Sequence, residues 1–206
     1  MRPIALDDIL GRERYGQVRE AVRRRIIAHK RARRVAVGDR LSLVFEDRAT
    51  VWYQTQEMLW VEHVTDLDAI REELAVYNEL LPSATELAAT LMIELNDQGR
   101  MREDFHRLLG LDRHVALQVG PHRAAAVFED GRQTDEKISA VQYVRFPVTD
   151  AARVSLADGA PIAVVVDHPT YAVTTVLSDA ARTSLAASFL DEAIADRDLA
   201  EVREAR

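Results

Sequence analysis

Between Tyr53 and His63 the chain sets groups able to do chemistry among aromatic bulk: Tyr53-Gln54-Thr55-Gln56-Glu57-Met58-Leu59-Trp60-Val61-Glu62-His63. On a helix, residues four apart share a side, so Tyr53 lies over Glu57 and Gln56 over Trp60. Polar groups among rings need hydrogen-bond partners once buried, which calls for an internal network or a ligand. Apolar surroundings also disfavour a charged carboxylate, making Glu57 a candidate acid or base. Tyr77 and Asn78, closing the next helical stretch, complete a candidate ligand-binding set of Tyr53, Gln54, Gln56, Glu57, Tyr77 and Asn78. The competing reading is a structural network tying this helix to a sheet. In that reading Asn78 serves loop backbone.

The second candidate is basic. Residues 1–40 hold 12 Lys+Arg and 5 Asp+Glu, whereas the whole chain carries a net charge of −7. Arg23, Arg24, Lys30, Arg31 and Arg34 could grip phosphates or an acidic partner. The acidic remainder of the chain, with no recognition helix and no aromatic stacking module, argues against nucleic acid. A solvated face, or one docked on a protein surface, is the plainer expectation.

Other chemistries lack their residues. There is no cysteine, so thiol nucleophiles and disulfides are excluded. No glycine-rich phosphate loop and no G-x-S-x-G elbow occurs. The six histidines show no two-on-a-face spacing, so neither a metal site nor a cofactor is predicted. Glu86 and Glu94 share a strand face but stand about 26 Å apart, too far to act as one pair. No apolar run approaches the ~18 residues of a membrane span. The start, Met1-Arg2-Pro3-Ile4, leads directly into acidic residues, and the expected location is cytoplasmic.

The elements needed to position these groups follow from periodicity. Asp7 is the expected cap of a short helix through Leu10, and a long helix is expected over 12–34, ended by Val35-Ala36-Val37-Gly38-Asp39. Leu41, Leu43 and Phe45 alternate with Ser42, Val44 and Glu46 as a strand. A buried helix over 50–64 competes with a hairpin through Thr50–Tyr53. Thr65-x-x-Asp68 resembles a capping box before a helix that Pro82 stops. A strand follows over 86–95, then a turn at Asn96–Gly99 and a short helix over 102–109. Strands at 115–119, 123–128 and 137–146 are linked closely enough to be antiparallel neighbours. A helix over 150–157, a hairpin around Asp167–Thr170 and a last helix from Ser178 complete the chain, with Asp196–Arg206 as a fraying end. The expected class is α+β: a helical N-terminal part packed on a mostly antiparallel sheet, with a C-terminal helix. It reads as a single domain over 1–206, with a weak boundary near 96–100.

Several segments together resemble one family. They are Phe45-Glu46-Asp47-Arg48-x-Thr50 through Tyr53-Gln54-x-Gln56-Glu57-Met58, Tyr77-Asn78-x-Leu80-Leu81-Pro82, Glu86-Leu87-x-Ala89-Thr90, the stretch Lys30–Gly38, and Lys137–Tyr143. In these the chain is similar to an uncharacterised bacterial domain family often encoded near rubrerythrin and heterodisulfide-reductase-like iron–sulfur proteins. The resemblance implies a link to peroxide or thiol redox metabolism and supplies no catalytic residue. A chain without cysteine cannot carry the thiol step itself. The functional expectation is therefore a cytoplasmic binding or accessory protein with a protein partner in a redox system, homodimerisation being open. The alternatives are an enzyme using Glu57 as acid or base, and nucleic-acid binding through the arginine-rich helix.

Overall fold

Strong helix formers fill residues 12–31, and one stripe of Tyr15, Val22 and Ile26 is buried. This is helix α1 (Arg12–Arg31) of the computed structural model, which describes residues 1–94, 101–131, 138–190, Arg197, Ala200, Arg203 and Glu204. The helix stops earlier than its charge pattern suggests. Val35 and Val37 point inward and Arg34 and Ala36 outward, so Arg34–Val37 is strand β1 and not a helix end. Gly38, at φ +66°, turns the chain back into strand β2 (Leu41–Phe45).

Helix α2 (Arg48–Val61) replaces the competing hairpin. Asp47 caps it: its carboxylate accepts from Thr50 N at 2.9 Å, and Thr50 Oγ1 accepts from Asp47 N at 2.9 Å. Helix α3 (Leu67–Asn78) is capped by Asp66, not Thr65, through the amides of Asp68 and Ala69. The expected helix after Asp7 is a 3-10 turn over Leu6–Asp8. There Asp8, not Asp7, reaches back to Ala5 N.

Strand β3 (Glu86–Ile93) leads to helix α4 (Met101–Arg107). Strands β4 (Val115–Val119), β5 (His122–Ala125), β6 (Val127–Phe128) and β7 (Val141–Pro147) follow. Helix α5 (Asp150–Ala157), strands β8 (Ile162–His168) and β9 (Tyr171–Val176), and helix α6 (Asp179–Leu190) close the described fold. The turn and weak boundary at 96–100, Lys137 and most of Asp196–Arg206 lie outside the described residues.

Among the described residues all strand pairings are antiparallel, and they divide into two sheets. One has the order β1-β2-β3-β7-β6, the other β5-β4-β8-β9. The three strands expected to form one run are thus shared between sheets: β5 pairs with β4, while β6 pairs with β7. Only Ala126 separates β5 from β6, so the chain turns the corner there. Local spacing gives antiparallel order but not which distant strand each one joins.

The inner faces meet in one core that includes Leu43, Phe45, Leu91, Leu117, Phe146 and Val164, with α5 and α6 adding Leu156 and Leu185. Burying each such side chain stabilises by about 1.5–3 kcal/mol. A second core joins α1, α2 and α3 around Tyr15, Val22, Trp52, Leu59 and Leu74. Helix α3 faces the outer side of the first sheet, and a groove is left between them. The class is α+β.

Candidate functional site

The corner between β2 and α2 places three consecutive charged side chains inside the protein. Glu46 is 3% exposed, and Asp47 and Arg48 are each 2% exposed. Buried charges need opposite charges or dense hydrogen bonding. Arg48 reaches Asp8 Oδ2 at 2.5 Å and the Arg2 carbonyl at 3.2 Å. Asp47 meets Arg33 Nε at 3.2 Å and His29 Nε2 at 2.6 Å. Burial pushes the Asp47 carboxyl up, but the Arg33 charge, the His29 bond and the Thr50 amide together hold it well below the usual range. Arg33, itself buried, also donates to the Phe45 carbonyl at 3.0 Å and to Ser184 and Ser188 of α6 at 2.9 and 3.1 Å.

Glu46 differs from both neighbours. Its Oε1 accepts from Thr90 Oγ1 at 2.5 Å, and its Oε2 from Thr50 Oγ1 at 2.5 Å and Gln54 Nε2 at 3.0 Å. Three neutral donors hold its carboxylate, which forms no ion pair with a described residue; the nearby Arg33 donates instead to the Glu46 backbone carbonyl at 3.3 Å. A carboxylate has about four acceptor positions. Glu46 retains one, and the residue lines the groove between α3 and the sheet.

That groove encloses about 490 Å³. Tyr77 of α3 and Tyr143 and Phe128 of β7 and β6 supply aromatic surface. Glu46, Glu73, Glu79, Glu129 and Asp130 supply carboxylates. The cation on its lining is Arg145, which is bound to Glu86 and to the Glu79 carbonyl. The chamber is therefore acidic, aromatic and built on rigid elements. Burial raises the Tyr77 hydroxyl pKa, and the charge of Glu73 raises it further, so it stays a neutral donor.

The sequence-derived candidates do not converge on this groove. Tyr77 lines it, and Gln54 holds Glu46 from α2. Glu57 lies elsewhere: Arg19 grips it with two bonds of 2.9 and 2.7 Å, and Tyr15 donates at 2.5 Å. Burial raises its pKa, but the Arg19 and Tyr15 bonds outweigh that and lower it, so Glu57 is an ionised tie between α1 and α2. Gln56 pairs its amide with both backbone groups of Leu10, at 2.9 and 3.0 Å. Asn78 does the same to Ile4, at 2.8 and 3.0 Å. Both amides clamp the N-terminal segment. Tyr53 is half-buried, with Lys30 Nζ 5.6 Å from its ring centre.

The basic candidates separate too. Arg23, Arg24 and Arg31 are exposed on α1. Arg34 sits on β1, where it pairs with Glu94 at 2.6 Å. Glu46, Tyr143 and Arg145 were not among the sequence candidates. The available signal was Glu46-Asp47-Arg48, three charges between an apolar strand and an apolar helix.

Comparison with known proteins agrees with this architecture. The family described as "Protein of unknown function (DUF3501)" matches residues 3–189. The chain belongs to this family. A crystal structure of a novel protein of unknown function from Burkholderia pseudomallei K96243 is 36% identical and superposes with a TM-score of 0.86. The match covers 92% of this chain and 100% of that one. No match was found among curated proteins. Family membership bears out the resemblance to an uncharacterised domain family. The link to rubrerythrin and iron–sulfur proteins rests on the resemblance alone.

Proposed function

We propose that this protein is a cytoplasmic, non-catalytic binding protein whose acidic groove holds a small organic cation. The observation that carries the reading is Glu46: a buried carboxylate held, among the described residues, by three neutral donors and no ion pair, on the wall of a chamber of about 490 Å³. An ammonium or guanidinium would fill its remaining acceptor position with a charge-assisted bond. Tyr77, Phe128 and Tyr143 offer ring surface, which attracts cations through its π face. Chambers of about 300–1,000 Å³ lined by rings and a few fixed polar groups are the usual form of small-molecule sites.

The redox setting implied by the resemblance fits such a protein as an accessory factor. Without cysteine it would sense or deliver a ligand for a partner, not carry the electrons. Exposed Arg23, Arg24 and Arg31 are a surface that an acidic partner could use.

The test is isothermal titration with benzylammonium, benzyl alcohol and benzoate. Benzylammonium should bind most tightly. Glu46→Gln should weaken it about tenfold or more, while benzyl alcohol changes little. Equal binding of benzylammonium to wild type and Glu46→Gln would remove Glu46 as the anchor.

A further inference from the structure

We propose that a second cavity, of opposite charge, binds an amphiphilic carboxylate of medium chain length. This cavity holds about 320 Å³ between the N-terminal segment and helices α2 and α3. Ile9, Leu59, Val64, Leu67 and Ile70 make its lining mostly apolar, and no acidic residue among the described residues lines it. Of its polar groups, Gln56 already has its carbonyl and its amide on the backbone of Leu10.

The charge in this cavity is Arg12. It packs over the Trp60 ring, 4.5 Å from the ring centre, and gives one N–H to the Trp60 carbonyl at 2.7 Å. No carboxylate among the described residues pairs with it. A guanidinium carries five donors in a planar fork suited to a carboxylate, and the Trp60 carbonyl takes one of them. Stacking on Trp60 fixes the orientation of that fork. An oriented arginine with no carboxylate partner among the described residues, beside a chamber those residues line without an acid, matches a ligand with a carboxylate head and a hydrocarbon tail. The volume lies at the small end of ligand-sized pockets, which suits a chain of medium length. This inference stands independently of the Glu46 groove, which has the opposite charge and other walls.

Octanoate, octanol and octylammonium provide the test. Trp60 lines this cavity while the other tryptophan, Trp52, is sealed in the helical core, so a change in emission on ligand binding reports occupancy there, and titration calorimetry gives the affinities. Octanoate should shift the emission, and affinity should rise about fourfold per methylene from butanoate to octanoate. Octylammonium should leave the emission unchanged. Arg12→Gln should weaken octanoate about tenfold while octanol binding stays the same. Val64→Phe, which adds bulk to the lining and keeps Arg12, should weaken octanoate and octanol together. Octanoate binding that ignores both substitutions, or no binding in the folded wild type, would overturn the proposal.

Discussion

Asp47 shows how much a single buried group can carry. It caps α2 and pairs with Arg33 in the interior, and it meets the partly exposed His29. Asp47→Asn keeps the shape and a capping oxygen but leaves Arg33 buried without its counter-charge. Removing one partner of a buried pair costs about 3–5 kcal/mol, and urea denaturation should show a loss of that size. The pH dependence follows from the same group. Its folded pKa is depressed, so its contribution is fully present above the unfolded value of about 4 and is lost as pH falls through the folded one. Glu57, also depressed, acts in the same direction. The wild-type urea midpoint should therefore fall steadily below about pH 4, and the Asp47→Asn midpoint should fall less. Glu57→Gln should cost about 1–2 kcal/mol and leave benzylammonium binding intact, since Glu57 lies outside the groove.

At the scale of elements, the edges of the two sheets meet at one turn. Tyr171 of β9 donates to the Val37 carbonyl at 2.6 Å and accepts from Arg40 N at 3.2 Å. A Cβ on Gly38 would collide with that hydroxyl, and the position has φ +66°. Gly38→Ala should then destabilise by about 2 kcal/mol, as a left-handed conformation and a displaced hydrogen bond together require. A thermal melt checks it, and an unchanged midpoint would mean the sheet edges are not joined there. The same turn shows why β1 escaped sequence reading. Val35–Val37 is too short to display a period, and Gly38-Asp39 after a long helix looks like a helix end. The longer amphipathic elements were legible: α1, α3 and β3 carry enough periodic positions to declare themselves, whereas α2, apolar nearly all round, left a hairpin as its competitor.

For the whole molecule, the class was legible and the division into two sheets was not. Antiparallel order follows from short connections, but β7 pairs with β3 across about fifty residues of chain, and no local pattern encodes that choice. The candidate site suffered in the same way. Alternation in β2 puts Glu46 on the side opposite Leu43 and Phe45, which reads as solvent. The helical layer covers that side and converts an exposed strand end into a buried carboxylate. Glu57, conspicuous among aromatic residues, is instead satisfied by Arg19 and Tyr15 from a helix distant in sequence. The fold thus carries an acidic, ring-lined chamber on one side of its helical layer and an apolar chamber with a lone arginine on another. Their opposite charges predict opposite ligand preferences.

The central claim is that Glu46 anchors a cation in the groove between α3 and the sheet, and a structure of the benzylammonium complex tests it most directly. The account predicts the ammonium nitrogen about 3 Å from Glu46, with the ring against Tyr77 and Tyr143. Benzylammonium bound elsewhere, or a groove left empty at saturating concentration, would contradict it.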